Sequence, residues 1–425
     1  MTAPGPGSVG TSDRRAVPAA RGTAGLVART VAVAPDDVDL LAFAGDAGLL
    51  FERDGCGLAG RGEALRLEAS TAVDVLAAMR SLDEVGLPGC GPVAIGALPF
   101  DPAAAGTLVV PSELVGRSPD GTAWHTVIAR DGDDVFPRVW PPRFDEGARP
   151  RPPDDFRLTA ARPHDEWLEV IAAAVKAIAG GRMRKVVLAR EVTVEANRRI
   201  LPVDVLGRLR SLYPSCMLFS VAGFVGASPE LLVARTGAGV RAQPMAGTIP
   251  RSGDPAVDAR LGAGLLASTK DRDEHAFVVE EVAAVLAPYC VSLDVPGEPS
   301  IVPLRNVSHL GTLLTGRLRP DAPSALGLAT ALHPTPAVAG TPTADALAYI
   351  AAVEGLDRGR YAGPVGWVDA RGDGEWAVGV RSAELDGTTA RLFAGVGVVA
   401  DSVPEAELAE TQLKLQALLA AVVRP

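Results

Sequence analysis

The sequence is short of several things that would commit it to a compartment or a scaffold. Its cysteines, Cys56, Cys90, Cys216 and Cys290, are scattered with no CxxC pair and no metal-like spacing, so neither a disulfide framework nor a thiolate zinc site is expected. The histidines show no H-x-x-x-H or HExxH spacing, which removes the usual zinc-hydrolase signature. Aromatics make up only 4% of the chain, so packing has to rest on Ala, Val and Leu. No window reaches the ~18 uninterrupted apolar residues that a membrane helix needs. The opening "MTAPGPGSVGTSDRRAVPAARG" carries charge and proline without the apolar centre of a secretory leader. Basic excess is also missing. A formal net charge of −10 argues against a nonspecific hold on DNA, RNA or anionic lipid, while leaving room for a local basic pocket for a small acid. The expectation is a soluble, cytoplasmic monomer without membrane or nucleic-acid partners, with residues 1–24 as a disordered tail.

The chain is 425 residues long and 48% hydrophobic, enough for a large core. Between about residues 25 and 135, short alternating runs such as "LVARTVAV", "GLLFERD", "PVAIGALPF" and "AWHTVIAR" predict strands. One helix is predicted among them, "STAVDVLAAMRSL", with Ser70 or Thr71 as its N-cap. The proline-rich "FPRVWPPRFDEGARPRPPDDF" then divides a β-rich part, 25–157, from a second region, 158–425. Beyond it the pattern predicts a helix over 163–181, a strand "KVVLAREVTVEA", a helix over 203–212 and three strands between 217 and 244. Two helices follow over about 256–288, then strands at 363–369, 375–385 and 390–399, and a last helix over 404–423. Short turns such as "ELDGTTAR" force antiparallel pairing, so the class is α+β with large antiparallel sheets and helices packed on them.

Several residues hold chemistry that a bland reading also covers. "GVGVVA" (395–400) matches a dinucleotide fingerprint, but only a helix and the chain end follow it, so no βαβ unit can close. Its glycines still allow a close backbone approach. In the last helix Leu408, Leu415, Leu418, Leu419 and Val422 form one apolar stripe, with Glu407, Glu410 and Lys414 as a ridge along its edge. Taken alone, Glu410 and Lys414 are an i,i+4 surface pair worth ~0.2–0.5 kcal/mol. Glu274 caps the edge of the stripe Val278, Val282, Val285 and Leu286, where a carboxylate either meets solvent or needs a partner, a metal or a proton. Lys185 opens a strand, a common place for a snorkelling lysine. Glu230 in "GASPELL" follows a proline that stiffens the strand entry, and fits an ordinary edge carboxylate as well as a functional one.

Their order along the chain says more than any one of them. "KVVLAREV", "GASPELLV", "QPMAGTIPR", "STKDRDEHAFVVEEV", "ALHPTPAVAGTP", "GPVGWVDARGDGEWAVGVRSAEL" and "RLFAGVGVVADSVPEAELAETQLKL" together resemble the chorismate-utilising enzymes, and within them the isochorismate synthases. The resemblance covers residues 160–425, with a weaker match at "GALPF". It implies a single large α+β fold of two stacked antiparallel sheets with helices outside. It also implies Mg²⁺ held by Glu274 and Glu410, with Glu407 and Lys414 supporting them, and the substrate chorismate carried by that metal. Arg381, with backbone N–H groups near Gly395 and Gly397, would take the enolpyruvyl carboxylate, and Gly247, Thr248 and His309 would line the substrate.

The implied reaction adds water at C2 and expels the C4 hydroxyl with transposition of the double bond. Lys185 would activate the water and Glu230 would protonate the leaving hydroxyl. In "HPTPAVAG" the prolines pin the backbone into a wall, with His333 and Thr335 as its anchors or as plain structure. Ala337 and Val338 would face the substrate. Salicylate synthases, the nearest rival, usually carry Thr at the position of Ala337. The chain departs from the family at Ile249, where Arg is common. Aminating relatives are disfavoured because "VVEEVAAVLAP" lacks their pattern, and a non-catalytic chorismate-binding protein is disfavoured by retention of Lys185, Glu230, Glu274 and Glu410 together. Products of this kind feed menaquinone or siderophore assembly, between which the residues do not discriminate.

Overall fold

A computed structural model of the chain describes residues 25–133 and 150–423. The tail expected over 1–24 and most of the proline-rich connector lie outside the described residues. The class is α+β, in a 13-stranded, a 9-stranded and a 3-stranded sheet. The expectation of two stacked antiparallel sheets therefore needs two corrections. A small third sheet pairs Met245–Pro250 and Ser300–Pro303 with Val307–Gly311. One pairing is parallel, Leu26–Val33 with Arg80–Asp83.

That parallel pair explains a second difference. The helix expected over "STAVDVLAAMRSL" stops at Ala78, because Met79 is extended and buried and Arg80–Asp83 turns into an edge strand beside residues 27–30. A tertiary pairing has overridden local helix propensity. Thr71 sits at the N-cap position without capping through its side chain.

The two large sheets meet face to face through Phe51, Leu58, Ile95, Phe219, Phe224 and Trp367, drawn from both. Parts 25–157 and 158–425 interleave in both sheets: Leu49–Arg53 pairs with Met217–Val221, and Val93–Ala97 with Pro364–Asp369. The last helix, Pro404–Val423, buries Leu415, Leu418 and Val422 in the cluster that also holds Val205, Leu206 and Leu209 of the helix Pro202–Leu212. Among the described residues no helix is long and apolar enough to cross a membrane.

Two further departures bear on the site. Four strands, not three, fill 217–244. The run 375–385 is two strands in different sheets: Gly374–Val378 in the 9-stranded sheet and Ser382–Asp386 in the 13-stranded one. Between them Arg381 has φ +53°, a left-handed conformation that costs a non-glycine residue about 1–3 kcal/mol. Strain held at the junction of two sheets is a pointer to function, and this residue faces a cavity.

Candidate active site

The core of the site is a pair of strands. Lys185–Ala196 runs antiparallel to Thr389–Val398 with Val187 opposite Gly397 and Ala189 opposite Gly395. The latter strand is part of an antiparallel ladder, so the dinucleotide-like "GVGVVA" opens no βαβ unit. Its glycines serve closeness instead. A Cβ on Gly397 would lie 2.8 Å from Lys185 Cε, and one on Gly395 would lie 3.0 Å from the Tyr361 hydroxyl.

Period-2 alternation turns Val186 and Leu188 into the core and leaves Lys185 and Val187 against a cavity of about 210 Å³. Lys185, Glu230, Gly247, Thr248, His309, Ala337, Val338, Arg381, Gly395, Gly397 and Lys414 all line it, as do Glu274, Glu407 and Glu410. Every site residue singled out from the sequence is thus brought to one place.

Lys185 is no snorkelling lysine. It is only 8% exposed, and its Nζ donates to Glu274 Oε1 at 2.7 Å. Burial pushes the Glu274 carboxyl up, but the charge and hydrogen bond of Lys185, helped by Lys414 and Lys270, more than offset this and hold it below the ordinary value. Glu230, also 8% exposed, shows the opposite balance. Burial dominates over Lys185, the Met245 amide and Lys414, and raises its carboxyl to about 7. Two carboxyls in one cavity are therefore driven apart, one firmly ionised and one able to keep a proton near neutrality.

On the last helix, Lys414 Nζ donates to Glu410 Oε1 at 2.7 Å and to the Gly395 carbonyl at 2.9 Å, so it ties the helix ridge to the glycine strand. Burial raises the carboxyl of Glu407, the Ser402 hydroxyl lowers it and the charge of Glu410 raises it again, with a net upward shift. His309 is held neutral, its value lowered to about 3 by burial and by Arg381 and Lys414. Its Nδ1 lies 3.0 Å from the Gly247 carbonyl, which can only accept, so Nδ1 carries the proton. Nε2 is then free to accept from Arg381 Nη2 at 3.4 Å. His309 thus orients the arginine through a fixed tautomer.

The "HPTPAVAG" segment follows the helix Ala325–Leu332, which ends at His333. His333 is neutral, lowered to about 4 chiefly by burial, and its Nε2 donates to the Phe100 carbonyl at 2.9 Å. The Thr335 carbonyl accepts from Val338 N at 3.1 Å and Ala339 N at 3.0 Å, closing a turn that presents Ala337 and Val338 to the cavity.

Sequence reasoning missed some of the lining, including Lys270, Arg358, Tyr361 and Ser402. Tyr361 stacks on Phe393 with centroids 5.1 Å apart, and burial pushes its hydroxyl up to about 12. Arg358 had one local signal, Glu354 four residues before it, but that spacing is common on exposed helix faces. Among the described residues no three of His, Cys, Asp or Glu converge as a complete metal cage.

A buried lysine, a proton-retaining carboxyl, an anchored arginine and a ridge of carboxylates are the apparatus of an enzyme that moves protons on a small acid. Residues 68–423 match the family described as "Chorismate binding enzyme", and the chain belongs to it. It is 37% identical over 342 residues to isochorismate synthase DhbC of Bacillus subtilis, covering 78% of this chain and 81% of that protein. It is 40% identical over 366 residues to a putative isochorismate synthase MenF of Mycobacterium tuberculosis, covering 82% and 90%. Among solved structures, the menaquinone-specific isochorismate synthase MenF of Escherichia coli superposes with a TM-score of 0.79 at 25% identity, covering 94% of this chain and 95% of that one.

Proposed function

We propose that this chain is an isochorismate synthase, converting chorismate to isochorismate. The observation that carries this reading is the pairing of Lys185 with Glu230 in one cavity, the first hydrogen-bonded to Glu274 and the second raised to about 7, within the site of a chorismate-binding fold. Lys185 acts as base in its neutral form: once the proton it directs at Glu274 has been given up, its Nζ takes a proton from the water that forms the new C2–O bond. Glu230 gives a proton to the departing C4 hydroxyl, which leaves as water while the double bond shifts. Water enters and water leaves, so the reaction balances as an isomerisation and is expected to run backwards from isochorismate. Arg381, steadied by His309, binds the enolpyruvyl carboxylate together with N–H groups near Gly395 and Gly397.

Glu274 and Glu410, supported by Glu407, fit a hard divalent cation. Mg²⁺ usually takes only one or two protein carboxylates and fills its remaining positions with water and substrate, so a complete protein cage is not needed. The Glu407 carboxyl is raised first by burial, with the neighbouring charge of Glu410 adding to it, and a cation would relieve that added repulsion. When bound, Mg²⁺ supplies charge that offsets the substrate carboxylate in a cleft lined by acids.

The assignment is tested by incubating purified protein with chorismate and Mg²⁺ and separating the products by chromatography. Isochorismate is expected, with almost no salicylate. A pH–rate profile checks the acid. Because the value of Glu230 is raised, its proton is present below about 7 and lost above it, so kcat is expected to fall as pH climbs through about 7. A kcat that rises through that pH would assign the group to the opposite role.

The wall sets the product. Ala337 and Val338 offer methyl groups and no hydrogen bond, so isochorismate leaves before its pyruvyl group is eliminated. Wild-type protein is expected to give negligible pyruvate in a lactate dehydrogenase-coupled assay, and Ala337→Thr to raise it. Stoichiometric pyruvate from the wild type would make the chain a salicylate synthase.

A further inference from the structure

Glu354 and Arg358, 7% and 4% exposed, form a buried ion pair that the reaction itself does not use. Arg358 grips the carboxylate with both arms, Nε to Oε1 at 2.7 Å and Nη2 to Oε2 at 2.6 Å. The same guanidinium donates to two carbonyls on different segments, Val338 through Nη1 at 3.0 Å and Val187 through Nη2 at 2.7 Å. Glu354 Oε2 also accepts from the Ala189 amide at 2.8 Å. The Phe100 ring lies 4.2 Å from the guanidinium carbon, and His333 is bonded to the Phe100 carbonyl.

These contacts fall where two segments part. The wall runs beside the Lys185 strand through Thr341 and Gly340, and Val187 N still donates to the Ala339 carbonyl at 2.8 Å. Beyond Ala339 the wall leaves the strand, and Ala337 and Val338 turn to the cavity. From that point the ion pair stands in for the missing strand. It takes the Val187 carbonyl and the Ala189 amide on one side and the Val338 carbonyl on the other.

We propose that Arg358, held by Glu354, is a positioning residue for the reaction: it sets the gap between the Lys185 strand and the Ala337–Val338 wall, and so holds the substrate ring in line with Lys185. This rests on the isochorismate synthase reading above. The planar fork is what the task needs, since a point charge cannot grip a carboxylate with two arms and bridge two carbonyls at once. Arg358→Lys therefore tests geometry while keeping the positive charge opposite Glu354. The expected result is a folded variant whose kcat for chorismate falls about 10²-fold, the cost of a small misplacement of a reacting group, with KM little changed. A purely structural role would lower the thermal midpoint and leave the kcat of the folded protein alone, and that result overturns the proposal. Should Arg358→Lys fail to fold, Phe100→Leu decides, because it leaves the hydrogen bonds in place and removes only the ring under the guanidinium. A lowered kcat at unchanged KM supports positioning, and an unchanged kcat ends it. Variants are scored as ratios to wild-type kcat, so a wild-type protein inert towards chorismate counts against the functional reading and is told apart from failure of this one.

Discussion

Lys185→Ala and Glu230→Gln are each expected to lower turnover of chorismate by about 10²–10⁴, the usual worth of a positioned proton transfer. The two should differ in stability. Glu230→Gln keeps the volume of a side chain that already holds its proton to about 7, so its thermal midpoint should stay near that of the wild type. Lys185→Ala removes the partner of Glu274, whose side chain is only 23% exposed, and leaves a largely buried carboxylate to find a replacement. A stability loss of about 1–3 kcal/mol is expected there. Thermal denaturation beside steady-state kinetics separates the two effects. Turnover like that of the wild type in either variant would strip that residue of its assigned role.

Thorough chelation should silence the protein, and added Mg²⁺ should restore it. The expectation comes from Glu274, Glu407 and Glu410 lining one cavity, with Glu407 pushed up by burial and by the charge of Glu410. A second readout does not depend on turnover. An ion that binds only the folded chain stabilises it by about 2.7 kcal/mol at a hundred times its Kd. The thermal midpoint should therefore climb with Mg²⁺ in the wild type and stay flat in Glu274→Gln and Glu410→Gln. Full activity in EDTA, or a midpoint indifferent to Mg²⁺, would remove the metal from the account.

Much of the site was legible because its chemistry sits in residue types whose bland explanations fail together. Lys185 alone passes for a snorkelling lysine, and Glu410 with Lys414 for a surface pair. Only their order with Glu230 and Glu274 sets them apart, and folding brings them to one cavity. What stayed hidden was decided by distant partners. Arg80–Asp83 has helix-friendly neighbours and becomes a strand because residues 27–30 lie beside it. The break at Arg381 leaves only a faint mark in "EWAVGVRSAEL", a one-residue slip from Trp376, Val378 and Val380 to Ala383 and Leu385 where the chain changes sheets. Arg358 does its bridging between residues 171 and 20 positions away, a span no local pattern reports.

The interleaving of the two parts has a kinetic consequence. The apolar strand Leu49–Arg53 waits for Met217–Val221, and Val93–Ala97, buried along its whole length in the finished fold, waits for Pro364–Asp369. During synthesis each is therefore an open apolar edge until a partner made much later emerges, and such edges invite pairing with other chains. Closing these contacts is slow because they are so distant in sequence. A chain cut between the parts loses both partners at once, so the second region produced alone should collect in aggregates even though it carries Lys185, Glu230, Glu274 and Glu410.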